Sequence, residues 1–584
     1  MDCIVRAYGA AFMTDILAFV QLAAGTGFAI PATPLGVFVH YMVEGQVNMF
    51  RVGAGVASPT WMIPPRGREI SRPGSGGTSN AGEIADGISA LLERDVGVAG
   101  AAGLRAFQGT LRGQLPPRTS SRHFPDSDYT VHHRPGFSCD VRTWSARTFN
   151  SECVNGENTL GAHLADGAAY TMVRGDEYAD IFAVWDWQRL PGVLARQQHP
   201  VDTPCSFESL GATVFVGGLE VASLNLTVAA MDFSHGPRPG AATLDCRSGD
   251  CRGANVRTGV AAPLTAKRAW FMLDRGFVSL TANVSLADAD ESVAVGIEQS
   301  LLAGEVTSMR WERASGVTPA KPVATGNSSF DLGAPTDGVW VSHRNITYVA
   351  LSGFLPPSST SSLPSSTVSP TAPTLKVSVG QQRGSWHAIS SERSAEPVVK
   401  AVFKLWLDLG PAPMAGMSAG YAVFPGATPA AVASALGRIN VVANNAERQV
   451  VLEQRPGGGT DGHPWRRQGP QLLMAVVYTS GVIVSAEEAG FDLSTDGALL
   501  LSLADDGNGS LTFSFSRPVG GSGVVRLEAT GLPGFLTTAS SAGRPDRSAP
   551  AVACKSAGAN RTTIDLTFPA ATGRSASGKC RYII

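Results

Sequence analysis

The strongest constraint on the fold is a series of short β-patterned segments that occupies the chain from Tyr129 onward. They include YTVHHRPGF, FSCDVRTWSA, GATVFVGGLEVASLNLTVAA, VWVSHRNITYVAL and VVKAVFKLWLDL. Short runs rich in β-branched and aromatic residues, separated by turn residues, are typical of antiparallel sheets. The 66 glycines and 37 prolines supply many turns, and DDGNG (505–509) predicts a hairpin turn. The sequence therefore predicts a β-rich protein.

The first part of the chain has a helical pattern instead. We expect a helix over 9–24, ended by Gly25, with these residues on its buried face: Phe12, Ile16, Phe19 and Val20. A second helix is expected over Pro31–Glu44. A third should follow Asn80 and Glu83, which form a capping-box pattern. The helical pattern fades near residue 115, and these hairpins lack a complete core of their own.

Length and composition indicate several globular domains. A chain of 584 residues is too long for one core, and 43% hydrophobic with 16% charged residues indicates a folded protein. We predict an α+β multidomain chain with a helical part (1–120), a central antiparallel β-sandwich (121–488) and a smaller C-terminal β-sandwich (489–584). The low-complexity run 356–373 and the segment 456–470 are predicted to be surface loops.

The charge limits the kinds of partner. A net charge of −2 creates no strong field for a polyanion, so we expect no nucleic-acid binding, and an acidic polysaccharide would need a local basic patch. The N-terminal apolar run is interrupted by Asp15 and Gln21, so it predicts neither a signal peptide nor a membrane span. We also expect a monomer.

Cysteines and glycosylation signals favour an exported protein. Cys246 and Cys251 flank a short turn, and Cys554 and Cys580 bracket the C-terminal end. No spacing typical of a zinc site is present. Six N-x-S/T sequons occur, at Asn225, Asn283, Asn327, Asn345, Asn508 and Asn560. Together they are consistent with an oxidising, secretory route, so we predict an extracellular glycoprotein whose leader is absent from this chain.

The segment from Asn155 to Gly192, NGENTLGAHLADGAAYTMVRGDEYADIFAVWDWQRLPG, concentrates amides, carboxylates and aromatic rings. Its apolar residues keep neither a helical nor a long alternating period, which predicts short strands and turns. One interpretation is a sugar-binding surface with aromatic faces. The other is a packed sheet with structural tryptophans, Trp185 and Trp187, and composition alone favours it.

The same segment resembles the central domain of the polysaccharide lyases of family 8, through NGEN-x-LG, L-x-DGA-x-Y, RG-x-EY-x-DI and WDW. HHRPGF and GSWHAI also resemble that domain, and YGAAFMTDIL, GTGFAIP and RGREISRP resemble the end of the family's helical domain. The resemblance implies the C-terminal part of an incomplete α/α toroid, a large sandwich of the galactose-mutarotase type and a smaller sandwich. It also implies cleavage of chondroitin, hyaluronan or xanthan by β-elimination, without a cofactor.

The resemblance assigns roles to six residues. Tyr8 matches the tyrosine that acts as base and acid, and Arg68 and Arg72 match the arginines that stabilise its phenolate and contact the polyanion. Because Pro73 disfavours helical geometry at residue 72, we expect both arginines on a loop. Two residues, Arg66 and Asn155, are expected to contact substrate. Glu152 would pair with and orient an active-site arginine.

Each of these residues also has an ordinary interpretation from sequence alone. Tyr8 could be an amphipathic tyrosine at a helix start, and the arginines a solvated basic run. Glu152 could be a surface carboxylate, and Asn155-Gly156 a simple turn. The family context favours the catalytic interpretation.

The resemblance also reveals departures. The family has a histidine nine residues before the tyrosine and an asparagine further upstream, and both positions would precede Met1. We therefore expect a piece of a longer protein with weak or no activity. Three histidines are expected to be structural: His40, His132 and His133. Some relatives hold calcium near VWDWQ, but Gln188 is a poor ligand beside Asp186, so no metal is predicted.

Two other functions stay open. A non-catalytic carbohydrate-binding protein would keep the sandwiches without the catalytic cleft. A glycoside hydrolase would use two carboxylates, and the candidates are Asp166, Asp176, Glu177, Asp180 and Asp186.

Overall fold

The computed structural model describes most of the chain. The described residues are 9–53, 56, 59–74, 80–94, 98–197, 210–235, 263–286, 291–312, 316–332, 338–351, 373–411, 416–455, 471–485, 491–505, 510–518, 523–530, 535–538, 551–556, 561–568 and 576–582. Tyr8, Cys246, Cys251, Asn508, Asn560 and the segment 456–470 lie outside them, as does nearly all of 356–373.

The helical part contains four α-helices among the described residues: α1 (Ala10–Ala23), α2 (Ala32–His40), α3 (Ala81–Arg94) and α4 (Ala101–Leu111). Between α2 and α3 lie a π-turn (Tyr41–Gly45) and two 3-10 helices (Gln46–Met49 and Pro64–Ser71). Two short strands, Phe50–Arg51 and Thr60–Trp61, pair with each other in the same region. The three predicted helices are confirmed, and the second continues beyond His40 as the π-turn.

The buried face of α1 differs from the prediction. Met13 and Leu17 are buried, and Leu17 packs so closely on α3 that a Cβ at Gly87 would lie 2.8 Å from its Cδ1. Phe12 remains 51% exposed and Phe19 46% exposed. Ile16 and Val20 are partly buried against the same core, so the predicted face is confirmed for two of its four residues. The helix is apolar on several sides, and the position of α3 decides which side is covered.

A four-stranded sheet, the small sheet, follows the helices. Its strands are Ser120–Phe124, Tyr129–Arg134, Phe137–Arg142 and Ala168–Met172, paired antiparallel in that order. Tyr129 and Val131 belong to the same apolar core as α1, α3 and α4. The small sheet therefore connects the helical part to the sandwiches. The short 3-10 helices Gly161–His163 and Phe182–Val184 flank its last strand.

Two larger antiparallel sheets follow. The outer sheet has, among the described residues, the strand order Gly326–Asp331, Thr374–Gly384, Val398–Pro411, Ser292–Leu301 and Leu194–Gln197. The central sheet has the order Gly316–Val317, Thr307–Glu312, Gly338–His343, Ile346–Leu351, Met417–Pro425, Gly276–Ser285, Leu264–Leu273, Leu226–His235 and Val216–Val221, and Lys321–Pro322 pairs with its second strand.

Two further sheets complete the stack of layers. The third sheet has the order Ile439–Asn444, Arg448–Gln454, Gln471–Val477, Leu499–Asp505, Ser510–Ser516, Ala576–Tyr582 and Phe535–Thr538. The distal sheet has the order Gly481–Val484, Asp492–Thr495, Gly523–Thr530, Arg561–Phe568 and Ala551–Ser556. Helix α5 (Pro429–Leu436) joins the central and third sheets, and the Thr428 hydroxyl caps it by accepting from the Ala431 amide.

The central sheet is apolar on both faces, which explains its nearly continuous hydrophobic runs. In the strand Leu226–His235, Met231 and Phe233 face the core shared with the outer sheet. Val228 and Ala230 face the core shared with α5 and the third sheet. Side chains alternate between the two faces of a strand. A strand is therefore apolar at consecutive positions only where other sheets or helices pack on both of its faces.

One predicted domain boundary is wrong. The strands Gln471–Val477 and Leu499–Asp505 pair directly across residue 489, so no boundary falls there. The C-terminal sandwich already begins with Ile439–Asn444 in the third sheet. The sequence pattern of each strand is local, so it could not reveal that strands on the two sides of residue 489 pair. The strands on either side of the predicted hairpin turn, Leu499–Asp505 and Ser510–Ser516, pair antiparallel, while residues 506–509 lie outside the described residues.

Described sequons occupy exposed or half-buried positions. Asn225 and Asn345 are exposed and have φ angles of 52° and 63°, as tight turns require. Asn327 is exposed on an edge strand of the outer sheet. Cys153 forms a disulfide bond. Among the helices that are described, none is long and apolar enough to cross a bilayer.

A buried acid in the outer sheet predicts a pH-dependent stability. Burial raises the pKa of Glu298 from 4.5 to about 7, although hydrogen bonds from the Tyr348 and Tyr178 hydroxyls oppose this rise. The folded protein therefore keeps a proton that the unfolded chain releases, so this contribution is present at low pH and is lost as pH rises from about 4.5 to about 7.

We expect Glu298→Gln to remove this dependence. The stability difference between parent and variant should shrink by about 1.4 kcal/mol per pH unit across that window. Urea unfolding at a series of pH values measures it, and the exposed Glu305→Gln provides the control. A difference that stays constant with pH would contradict the assignment.

Candidate functional site

The candidate site is an arginine cluster between the helical part and the small sheet. Arg68 lies in the 3-10 helix Pro64–Ser71, which Gly67 interrupts with φ 55° and ψ −138°. Arg72 caps this helix in an extended conformation, with φ −106° and ψ 130°. The expectation that Arg72 leaves helical geometry is confirmed, whereas Arg68 is helical and not on an open loop.

Two carboxylates hold the arginines. Arg68 Nη1 donates to Glu152 Oε1 at 2.6 Å, and Arg68 Nε donates to Glu157 Oε2 at 2.9 Å. Arg72 Nε donates to Glu157 Oε1 at 2.7 Å, and its Nη2 donates to Oε2 at 2.9 Å. Glu157 thus forms a two-bond fork with Arg72 and a third bond with Arg68. Bidentate pairs of this kind fix the plane of a guanidinium.

The NGEN motif creates this arrangement. Asn155 and Gly156 both have positive φ, 57° and 68°, so the chain reverses there. The reversal directs Glu157 toward the arginines. Asn158 points back into the loop, where its Nδ2 donates to Ser151 Oγ and to the Glu152 carbonyl oxygen, both at 2.8 Å.

The cluster is graded from buried to exposed. The Arg68 side chain is 7% exposed, Glu157 10%, and Arg72 35%, and Asn155 lies in solvent. Hydrogen bonds from Arg72, together with its charge and that of Arg68, hold the pKa of Glu157 below its usual range against the effect of burial. Arg72 and Asn155 are therefore the groups placed to meet an anionic ligand.

The sequence missed Glu157. The expected ion pair of Glu152 with an arginine is present, but Glu157 makes more of the contacts. The sequence signal for Glu157 was its place directly after the Asn155-Gly156 turn, because a chain reversal can direct the next side chain toward the protein interior.

The two remaining predicted site residues are Tyr8 and Arg66. Tyr8 lies outside the described residues. Arg66 is 1% exposed, and its Nη2 donates to the Trp61 carbonyl oxygen at 2.7 Å. This placement favours a packing role for Arg66 over the substrate contact expected from the sequence.

The aromatic residues of the 155–192 segment are buried, so the surface interpretation was wrong. Trp185 is 6% exposed and Trp187 4%, and their rings meet edge to face at 5.4 Å between centroids. Tyr170 stacks on Trp185 at 6.1 Å. This core also contains Ile70, so it fixes the arginine segment to the sandwich.

The carboxylates considered for a hydrolase are each engaged separately. Glu177 accepts from the backbone amides of residues 173–175 at 2.6 to 3.0 Å. Asp176 pairs with Arg344, and Asp180 accepts from the Gly74 amide at 3.0 Å. Each of these carboxylates thus has its own partner within the protein.

Asp186 is neutralised by cations of the protein itself. Its Oδ2 lies 2.7 Å from Arg189 Nη1 and 3.3 Å from Lys404 Nζ. Although burial opposes ionisation, Lys404 and Arg189 hold the pKa of Asp186 below its usual range. The residues at this position therefore do not fit a calcium ion.

Two of the three histidines expected to be structural, His132 and His133, are buried and hydrogen-bonded. His132 Nδ1 shares a hydrogen bond of 2.5 Å with Ser121 Oγ, and its Nε2 donates to the Leu273 carbonyl oxygen at 2.9 Å. His133 bridges Ser138 Oγ at 2.7 Å and the Asn48 carbonyl oxygen at 2.8 Å. Burial lowers the pKa of His133 to about 4. His40 is exposed at the end of α2.

Comparison with known proteins decides the family. The family model described as polysaccharide lyase family 8, super-sandwich domain, matches residues 119–436. The chain belongs to polysaccharide lyase family 8. The match extends from the small sheet through the outer and central sheets to the last residue of α5, so the super-sandwich domain carries Glu152 and Glu157.

Relatives within polysaccharide lyase family 8 are similar over most of the chain. The chondroitinase-AC of Pedobacter heparinus is 26% identical over 504 residues, which cover 84% of this chain and 59% of that protein. The chain thus spans less than two thirds of this curated relative.

Solved structures show the same fold. A chondroitinase AC lyase determined as oligosaccharide complexes matches with a TM-score of 0.72 at 22% identity, over 98% of this chain and 69% of that one. The Paenibacillus xanthan lyase matches with a TM-score of 0.70 at 18% identity, over 99% of this chain and 51% of that one.

Proposed function

We propose that this protein is a polysaccharide lyase that cleaves a uronic-acid-containing polysaccharide, such as chondroitin, hyaluronan or xanthan, by β-elimination. The observation that carries the proposal is the pair Arg68 and Arg72, held by Glu152 and Glu157 beside an exposed asparagine. The relatives named chondroitinase-AC and xanthan lyase support the substrate class. Export to the extracellular space and a monomeric state belong to the same proposal.

The elimination divides into a proton abstraction and a bond cleavage. A base takes the C5 proton of the uronate, the electron pair forms the C4–C5 double bond, and the bond from C4 to the glycosidic oxygen breaks. The departing oxygen takes a proton from an acid. No water is added, and no electrons leave the substrate.

Tyr8 is proposed to serve as both base and acid. A free phenol has a pKa of about 10, so a phenolate at neutral pH needs nearby positive charge. The two arginines would supply that charge and would also attract the substrate carboxylate. Because Glu157 and Glu152 fix the guanidinium groups before substrate arrives, little reorganisation is needed in the transition state.

The helical part is proposed to be the C-terminal section of an α/α toroid, and the outer and central sheets a sandwich of the galactose-mutarotase type. The helices α1 to α4 share a core with the small sheet.

Ultraviolet absorbance during incubation with chondroitin, hyaluronan or xanthan tests the proposal. We expect absorbance from the unsaturated uronate to rise slowly with one of these substrates, in line with the weak activity that the sequence predicts. Substituting Arg72→Ala should lower the rate at least about tenfold, because it removes the more exposed charge of the cluster. The control is Arg310→Ala, which removes an exposed arginine from the central-sheet strand Thr307–Glu312 and should leave the rate unchanged.

Two outcomes would reject the lyase. Binding of the polysaccharide without any rise in absorbance would identify a carbohydrate-binding protein. New reducing ends with saturated products would identify a hydrolase, since hydrolysis adds water and leaves no double bond.

A further inference from the structure

A second cluster of side chains lies away from the arginines. His163 ends the short helix Gly161–His163, Asp166 follows it before the last strand of the small sheet, and His235 ends a strand of the central sheet. Asp166 is fully buried, His163 nearly so, and His235 is partly exposed. The cluster thus joins two separate sheets.

The three side chains converge on one oxygen. His163 Nδ1 and His235 Nδ1 each lie 2.7 Å from Asp166 Oδ2. One ligand atom from each residue lies within 4.8 Å of the others, and the two imidazole centroids are 4.7 Å apart. Donor atoms around a tetrahedral zinc ion are about 3.4 Å apart, given metal–ligand distances near 2.1 Å. The observed spacing therefore needs only a small adjustment to hold such an ion.

His235 contacts the same carboxylate oxygen as His163. Its Nδ1 is buried and pairs with Asp166 Oδ2 at 2.7 Å. A divalent cation between these atoms would replace the direct contact by metal–ligand bonds to the nitrogen and to the oxygen.

The surrounding residues orient the carboxylate. Asn150 Nδ2 donates to Asp166 Oδ1 at 3.2 Å, which leaves Oδ2 directed toward the histidines. Arg268 Nη1 donates to the Asp166 backbone oxygen at 2.7 Å and fixes the main chain. Supporting contacts of this kind are typical of metal-ligating carboxylates. Arg268 and Arg196 bring positive charge nearby, and Arg196 is paired with Glu291 at 3.1 Å.

We propose that His163, Asp166 and His235 form a binding site for a divalent transition-metal ion, with Zn²⁺ as the best fit. Two imidazole nitrogens and one carboxylate oxygen suit zinc and similar ions, whereas Ca²⁺ and Mg²⁺ prefer oxygen ligands alone. The site is structural. It links the central sheet to the loop 150–166, which carries Glu152 and Glu157, and it takes no part in the proposed elimination.

Calorimetric titration of the chelator-treated protein with ZnCl₂ tests the site. We expect one ion per chain, and a higher thermal unfolding temperature when the ion is bound. His163→Gln and His235→Gln should each lower the affinity at least about tenfold. The control is His40→Gln, which also removes one histidine but at an exposed position, and it should bind Zn²⁺ with the affinity of the parent.

The absorption spectrum of the parent protein with bound Co²⁺ tests the ligand set without any substitution. Co²⁺ in a site of nitrogen and oxygen ligands should produce visible d–d bands without the near-ultraviolet charge-transfer band of a thiolate ligand. Absence of binding in the parent, a thiolate band, or unchanged affinity in His235→Gln would each overturn the proposal. Because these readouts measure binding and stability alone, they stand or fall independently of lyase activity.

Discussion

Glu157→Gln is expected to lower the rate of the proposed elimination by about a hundredfold and to destabilise the protein by about 2–4 kcal/mol. Glu157 accepts three hydrogen bonds from Arg68 and Arg72, at 2.7 to 2.9 Å. Glutamine offers one acceptor oxygen, and its NH₂ group would face guanidinium N–H groups. Removing one partner from a buried ion pair costs about 3–5 kcal/mol, and the lower range allows for the 35% exposure of Arg72.

Glu69→Gln is the matched control. Glu69 also pairs with Arg72, through Nη1 at 3.2 Å, but its side chain is 18% exposed against 10% for Glu157. We expect a loss of at most about 1 kcal/mol and a rate within a few-fold of the parent. Urea unfolding and the absorbance assay measure both properties. Equal effects of the two substitutions would show that Glu157 does not position the arginines.

Tyr8→Phe is expected to have the largest effect on the reaction. The substitution removes the hydroxyl that is proposed to act as base and acid, and loss of such a group lowers rates by about 10²–10⁴-fold. Affinity for the polysaccharide and the unfolding free energy should stay close to those of the parent, because the ring is retained. The initial rate of absorbance increase and a binding titration measure the two effects separately.

Tyr41→Phe provides the comparison for Tyr8. The Tyr41 hydroxyl donates to the Gly9 carbonyl oxygen at 3.3 Å and accepts from Gln46 Nε2 at 2.6 Å. Burial raises its pKa, which makes it a poor base. We expect a loss of about 1 kcal/mol in stability and a rate within a few-fold of the parent. A larger rate loss in Tyr41→Phe than in Tyr8→Phe would transfer the catalytic assignment to Tyr41.

Much of the architecture is determined by local sequence pattern. The β-patterned runs after Tyr129 predict antiparallel sheets because alternation requires no knowledge of the neighbouring strand. The helices α1 and α3 follow from helical spacing and from the Asn80–Glu83 capping pattern. The resemblance to the family 8 lyases, carried by RGREISRP and NGEN, indicated the two halves of the candidate site.

The partners of these elements could not be derived from the same patterns. A strand such as Leu226–His235 is apolar on both faces, but only the stack of four sheets shows that α5 and the third sheet cover the second face. The predicted boundary at 488 failed for this reason. The burial of Trp185 and Trp187 has the same cause, since the outer sheet and the arginine segment cover them.

The sequence by itself therefore determined the fold class, the main helices and the residue types of the candidate site. Tertiary structure alone decided that Glu157 binds both arginines and that His163, Asp166 and His235 meet at one oxygen. Local patterns report which side of a segment is apolar or charged. Contacts between residues far apart in the chain depend on how the sheets stack, and no local period records that arrangement.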